Sequence, residues 1–475
     1  MKRDAAFELV IPVVLVALLA LLVAPLATPY WWDEGAVYAP GAKWLFDHGF
    51  DARPGIFPSD LSRGHTPLFY LLLAAAFRLA RPGPIAGHAL AFGFASMALL
   101  YTYALGRRLF GALAGTLAAA LLLTTPLFLT MSSQALPEMA LTALTAASFH
   151  ALARGRIAEC AIWGTLLVLI KETGVACPLA IAGALALEGV RSGAPRQGAR
   201  RGAVGLVPIA VLALFFLVQK RAEGWFFLPY HTSLFYEHHA ILEQLGNVAV
   251  SIFVADGRII AVIAAIALLA WRRGAALGPS DEPHRAVLTA FALHAIMNLG
   301  FFAKMFFLER YTLPVHVSVV VVLGAALAPS AATVRGWLPG LWAAALSIGV
   351  ALSRRSAGSD MASGETTFQY LHAVHAYSAL YGRLDAAGGN PVVLTDWPVT
   401  DELREPFLGW VKRPFRCVHI GDDTVGTSGT PNVDCVIAVR GLGSYGRLVR
   451  EAHERGFQRR DHAEDGAAAI ELWGP

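Results

Sequence analysis

The chain has 475 residues, 56% of them hydrophobic and only 15% charged, with a mean hydropathy of +0.53. Soluble domains carry nearer a quarter charged residues, so the composition excludes an ordinary soluble globular protein. The net charge of +4 is modest and no long basic tract occurs, which argues against a nucleic-acid partner.

Taken in chain order, the first apolar run is "LVIPVVLVALLALLVAPLA", ending at Ala27. It is too long for a signal peptide and lacks a good cleavage site, so it reads as a retained helix near 8–27. "PYWWDEGAVYAP" follows and puts Asp33 and Glu34 where a membrane segment meets water, behind Tyr30, Trp31 and Trp32. "HTPLFYLLLAAAFRLARPGP" opens at His65. It has too few apolar residues before Arg81-Pro82 for a span, and Pro67 suits a first helical turn, so it reads as an interfacial helix. Further spans are predicted near 84–106, 110–131, 136–153, 157–172, 174–190, 203–221, 247–270, 286–304, 311–328 and 337–352, eleven in all.

Beyond about 353 the pattern changes. "NPVVLTDW", "FRCVHIG", "DCVIAVRG" and "AAAIELWGP" read as short strands, and "SYGRLVREAHERG" as an amphipathic helix ended by glycine. The expected fold is therefore an α-helical polytopic membrane protein with a small C-terminal α/β domain. Residues 1–352 form the membrane part, with 28–83 an outer loop bearing interfacial helices, and 353–475 lie outside the membrane.

Charge fixes the expected orientation. With the His65 helix not spanning, Lys2-Arg3, Arg107-Arg108, Arg154-Arg156, "RSGAPRQGARR", Arg272-Arg273 and Arg335 all fall on one side, as cytoplasmic loops should. Lys220-Arg221 is the exception. The other side, taken as extracytoplasmic, holds 28–83, the segment near 132–138, Lys171-Glu172, the loop 222–246, the Arg310 region and the C-terminal domain. Four cysteines show no CxxC spacing. Cys160 and Cys177 read as buried packing residues, while Cys417 and Cys435 could pair in an oxidising compartment.

Each polar residue on the outer side has an ordinary reading. Asp33 and Glu34 could cap a helix, Glu138 could be a first-turn acid after Pro137, and Lys171-Glu172 could be a mutually neutralised junction. Arg310 could be a snorkelling cation and His65 an interfacial histidine. The aromatic loop "GWFFLPYHTSLFYEHHA" could line an acceptor groove, or its His231, His238, His239 and Glu237 could hold a divalent metal, although their spacing matches no definite site. Taken together, these residues gather at helix ends on one side, and ionisable groups there are functional candidates.

The order of "WWDEGAVYAPGAKWL", "GHTPLFYLLLAAAFRL", "LPEMALTALTAASFHAL", "IKETG" and "ERYTLP" resembles the polytopic glycosyltransferases of the GT-C fold. It resembles most the branch with the protein O-mannosyltransferases and aminoarabinose transferases, family 39 and its relatives. The resemblance covers roughly 1–330. It implies a sugar donor on a polyprenyl phosphate such as undecaprenyl phosphate, and an acceptor glycolipid, glycan or protein. Asp33 then matches the catalytic base and Glu34 its usual neighbour. Glu138 matches a second acid, usually Asp. Lys171, Arg310 and Tyr311 match residues near the donor phosphate, and His65 a residue lining the site. Thr66 departs from the common "PPL" motif. The C-terminal domain lacks a β-trefoil signature, which puts a protein acceptor in question. The rival class is a lipid-linked sugar transporter, which also carries intramembrane charges.

Overall fold

The computed structural model describes residues 2–236, 240–255, 258–259, 262–263, 265–266, 281–333, 367–421 and 432–475. Its helical part comprises α1 (Lys2–Leu22), α2 (Ala39–Asp47), α3 (Leu68–Ala80), α4 (Pro84–Phe110), α5 (Ala112–Leu123), α6 (Pro137–Ala153) and α7 (Ile157–Ile170). It continues with α8 (Ala176–Arg191), α9 (Pro195–Gly205), α10 (Val207–Glu223), α11 (Ile241–Phe253), α12 (Glu282–Phe302) and α13 (Leu313–Thr333). Helices thus occupy ten of the eleven predicted spans in whole or part. The eleventh, 337–352, lies outside the described residues, as do Glu237, His238, His239, Arg272, Arg273 and Arg335.

Among the described residues, four helices are long and apolar enough to cross a membrane: Pro84–Phe110, Glu172–Arg191, Glu282–Phe302 and Glu309–Ala328. α9 and α10, bent by 41°, pass the same test only when taken together. The predicted span 110–131 is broken into α5 and a short buried helix, Pro126–Met131, and α7 falls two residues short of its predicted span. α5 stops at Leu123, ahead of Pro126, and α7 stops at Ile170 because Lys171 turns extended (φ −160°, ψ 139°). α6 starts with Pro137 at its first position, where the missing N–H costs nothing, and is buried along nearly its whole length. It is the bundle's central post.

The helices fix two polar ends. α4 has 27 residues and rises about 40 Å. At its start, the Tyr30 hydroxyl donates to the Gly83 carbonyl at 2.8 Å. At its finish, Arg108 Nε reaches the Ala153 carbonyl at 3.5 Å. Around that second end Arg285 donates to Glu188 at 2.9 Å, Arg191 donates to Thr289 at 3.1 Å, and Arg201 pairs with Glu282. The basic segments at Arg107-Arg108, Arg154-Arg156 and 191–201, predicted to share one side, therefore meet. The α4–α5 turn at this end is tight, and a Cβ on Gly106 would come within 2.9 Å of the Gly115 Cα.

The C-terminal part is a five-stranded sheet of order β2-β1-β3-β5-β4: β1 (Val392–Thr395), β2 (Arg416–His419), β3 (Cys435–Val439), β4 (Gln458–Asp465) and β5 (Ala468–Gly474). β1 pairs parallel with β2 and β3, and β5 pairs antiparallel with β3 and β4. β3 is buried on both faces. Val436 and Ala438 pack towards α16 (Tyr445–Glu454), whereas Cys435, Ile437 and Val439 face α14 (Tyr370–Ala387) and the core of the helical part. Sequence reading missed β4 because "QRRDHAED" is an exposed edge strand without apolar alternation. It also missed α14, whose buried stripe is largely tyrosine and alanine.

The register rules out the Cys417–Cys435 disulfide. Val393 pairs with Cys417 on one side and with Cys435 on the other. The two cysteines are therefore two strand spacings apart, about 9.5 Å, beyond the reach of an S–S bond. Both thiols are free.

Glu402, in α15 (Val399–Arg404), lies under the sheet domain's contact with the bundle. It accepts a hydrogen bond from the Tyr381 hydroxyl at 2.8 Å, and its other oxygen is buried without a partner among the described residues. Burial pushes its carboxyl up to about 8. Between about pH 4.5 and 8 the folded chain keeps a proton that the unfolded chain has released, so stability falls as pH rises through that window. The expected loss is on the order of 3–5 kcal/mol. Melting temperature measured from pH 5 to 9 should fall for the native chain and stay flatter for Glu402→Gln, which should be the more stable at pH 9. Parallel curves would contradict this assignment.

Candidate active site

The opposite end of the bundle collects charges from four distant segments. Asp33 precedes a single π-helical turn, Glu34–Tyr38. Its carboxylate accepts from Arg310 Nη2, which lies in the short helical turn before α13. Arg310 Nε lies 3.9 Å from Glu138 Oε1, in the first turn of α6. The same oxygen accepts from Lys171 Nζ at 2.8 Å. The sequence order 33, 138, 171, 310 thus becomes the spatial chain Asp33–Arg310–Glu138–Lys171, with two acids alternating with two bases.

The chain is buried except at one end. Side-chain exposure is 1% for Glu138, 2% for Arg310 and 6% for Lys171, against 25% for Asp33. Tyr311 closes the cationic side. Lys171 Nζ sits 4.6 Å and Arg310 Cζ 5.5 Å from its ring centre, both within cation–π range. Removing a buried member, Arg310, Glu138 or Lys171, would strand a neighbour's charge in the interior, at about 3–5 kcal/mol.

His65 lies beside this chain. Its Nδ1 meets both Glu172 oxygens, at 3.0 and 3.1 Å. Lys171 and Glu172 therefore do not neutralise each other, contrary to the simplest reading of the dipeptide. Each has its own partner across the site. Tyr38 stands between the two pairs, its ring stacked 6.5 Å from His65 at 16°. Burial, reinforced by the nearby Glu138 charge, holds the Tyr38 phenol well above its usual range. His231 packs 5.1 Å from His65, and burial pushes it down to about 4. Beside His65 lies a shallow cleft lined by Phe57, Ser62, Phe215, Gln219 and Trp225 among others. Among the described residues no group of three or more His, Cys, Asp or Glu side chains is placed to hold a metal ion.

Glu34 points elsewhere. Its carboxylate accepts from the Trp31 amide at 3.1 Å and the Ala135 amide, and meets His88 Nε2 at 3.0 Å. His88 Nδ1 in turn faces the Leu26 carbonyl at 3.0 Å. The predicted acid pair is thus split: Asp33 faces the charge chain, and Glu34 ties the loop to α4 and to the segment before α6. His88 and Tyr38 were missed by sequence reading. The only signal for His88 was one histidine in an apolar helix, and Tyr38 lay in the quoted loop without a charged neighbour to mark it.

The C-terminal sheet domain grips the same loop. The Tyr30 amide donates to the Leu408 carbonyl, and Trp410 Nε1 donates to the Tyr30 carbonyl, both at 2.9 Å. Trp31 packs against Tyr370, Tyr377 and Trp410 at 5.7–6.3 Å between ring centres. Trp32 meets Trp397 at 4.6 Å, edge to face. Each such pair contributes about 0.5–1.5 kcal/mol beyond area burial, so the cluster outweighs any one hydrogen bond in the loop.

No protein-family model matches the chain, and no curated protein matches it. Solved structures do. ArnT from Cupriavidus metallidurans bound to undecaprenyl phosphate superposes with a TM-score of 0.62 at 16% identity, over 98% of each chain. Its apo state gives 0.60 at 15% identity, over 99% of this chain and 98% of that one. AglB from Archaeoglobus fulgidus, an archaeal oligosaccharyltransferase in complex with an inhibitory peptide and a dolichol-phosphate, gives 0.53 at 12% identity, over 92% of this chain and 70% of that one. The chain has the GT-C fold expected from its sequence. The narrower expectation of family 39 rests on the sequence motifs alone.

The geometry separates the two neighbouring acids by experiment. Glu34→Ala leaves buried donors without an acceptor, at about 1–3 kcal/mol each, so its melting temperature in detergent should fall steeply. Asp33→Asn keeps shape and a hydrogen-bond acceptor at the partly open end and should melt close to the native chain. Equal destabilisation of both variants would contradict the separation.

Proposed function

We propose that the chain is a membrane glycosyltransferase that moves a sugar from a polyprenyl-phosphate donor to an acceptor hydroxyl. The observation that carries this reading is the chain Asp33–Arg310–Glu138–Lys171, assembled from four segments at one end of the bundle with only its first carboxylate open. The two polyprenyl-type phosphates named with the similar ArnT and AglB structures support a lipid-linked donor. The protein lies in the inner membrane of a bacterium, with the site and the C-terminal domain on the extracytoplasmic face.

In this mechanism Arg310 and Lys171 bind the donor phosphate, the guanidinium by a directed fork and the ammonium as a point charge. Buried Glu138 keeps both cations in place before the donor arrives. The donor's phosphodiester competes with Asp33 for Arg310, so Asp33 is released as a base only when the donor is present. The acceptor hydroxyl then gives its proton to Asp33 as its oxygen attacks the anomeric carbon. The bond from that carbon to the phosphate oxygen breaks, and its electron pair leaves on the phosphate, where the two cations stabilise it. A single displacement of this kind inverts the anomeric centre. Glu34, His65 and Tyr311 position the loop, Glu172 and the cations respectively.

Purified protein given a polyprenyl-phosphate sugar and envelope extract should release free polyprenyl phosphate only when acceptor is present. Asp33→Asn should lower that rate about a hundredfold or more. Arg310→Lys should cost far more than a conservative change. Turnover with a nucleotide sugar alone would overturn the lipid-donor reading. Movement of an intact lipid-linked sugar between leaflets would favour the transporter. A reporter that works only outside the cytoplasm, fused after Pro475, should be active, and a cytoplasmic signal would reverse the orientation.

A further inference from the structure

The carboxyl ends of β1, β2 and β3 lie along one sheet edge, because these strands are mutually parallel. In open sheets of this kind, ligands bind outside such an edge where the strand order reverses, here around β1. The edge carries a polar constellation that the proposed chemistry leaves unused. Asp396, directly after β1, accepts from the Trp397 amide at 2.8 Å and meets His419 Nε2, at the end of β2, at 2.9 Å. His419 Nδ1 accepts from the Gly421 amide at 2.7 Å, so Nε2 carries the proton and donates to Asp396. Asp396 and His419 remain about a quarter and a third exposed.

Asp401 stands close by, among the charges of Arg404, His419 and Arg63, without a hydrogen-bonded partner of its own among the described residues. Arg63 comes from the outer loop of the helical part, and its Nε is a buried donor with no acceptor among the described residues. Trp397 leads from this edge to Trp32, and Trp32 is the residue before Asp33. Trp32 (φ 48°) and Arg63 (φ 51°) both hold the left-handed backbone region, which non-glycine residues occupy at a cost and which clusters at ligand sites.

We propose that this edge and the Trp32 loop form the acceptor subsite, and that it takes an uncharged saccharide portion of the acceptor. The inference rests on the glycosyltransferase reading, since it names what presents the hydroxyl to Asp33. Three acids, Asp396, Asp401 and Glu405, balance three bases, Arg63, Arg404 and Lys43, so a polyanionic or polycationic acceptor would find no surplus of opposite charge. Indole rings beside unpaired donors and acceptors instead match the apolar C–H faces and hydroxyl rims of a sugar. The place of the subsite, one residue from Asp33, brings a bound sugar's hydroxyl to the exposed end of the charge chain.

The test is binding of the full-length detergent-solubilised chain to an array of neutral oligosaccharides, with a Ser/Thr-containing peptide library alongside. Saccharide binding is expected. It should weaken at least about tenfold in His419→Ala and in Asp401→Asn, which lie outside the aromatic grip on the loop, and in Trp397→Ala. Thermal stabilisation by undecaprenyl phosphate, read on the same preparations, should be unchanged in His419→Ala and Asp401→Asn. Peptide binding only, no saccharide binding, or saccharide binding indifferent to all three variants overturns the subsite. Loss of the undecaprenyl phosphate effect in the native chain, with saccharide binding intact, would instead overturn the lipid-donor reading.

Discussion

Four charges that alternate in sign cannot be withdrawn from water one at a time. Asp33, Arg310, Glu138 and Lys171 are tolerable at the end of an apolar bundle only because each borders an opposite charge. That requirement explains where the helices stop. α6 must begin at Pro137 to place Glu138, α7 must end at Ile170 to release Lys171, and the chain must turn before α13 to deliver Arg310.

The loop that carries Asp33 depends on the same logic. It is tied from below by Glu34, through the Trp31 and Ala135 amides and His88, and from above by the sheet domain, through Leu408 and Trp410. Asp33 is left as the accessible end of an otherwise buried array. Under the proposed function, the base that meets an incoming hydroxyl takes this open place, and the cations assigned to the lipid phosphate take the interior side. The sheet domain, whose role the sequence left open, holds the loop through these bonds and the rings around Trp31.

Much of this was legible before the structure. Apolar blocks located the helices, and the asymmetry of the arginines sorted their ends, because Arg108, Arg191 and Arg201 do meet at one pole. Asp33, Glu138, Lys171 and Arg310 were nominated because charges at helix ends are expensive. Their pairing was not legible, since it depends on how helices far apart in sequence pack. Adjacent residues therefore misled: Glu34 left Asp33, and Glu172 left Lys171 for His65. β4 and α14 lacked the apolar periodicity that sequence reading relies on. The cysteine pairing failed on register, which short parallel strands do not declare in their residues.

The central claim is that the two cations of the chain receive a lipid phosphate. Phosphorus-31 NMR of undecaprenyl phosphate in detergent, titrated with the purified protein, tests it most directly. The account predicts a saturable shift or broadening of the resonance with the native chain and with Asp33→Asn, and its loss in Lys171→Met and Arg310→Gln variants that remain folded. An unperturbed resonance with the native chain, or an equal perturbation with all four proteins, would contradict it.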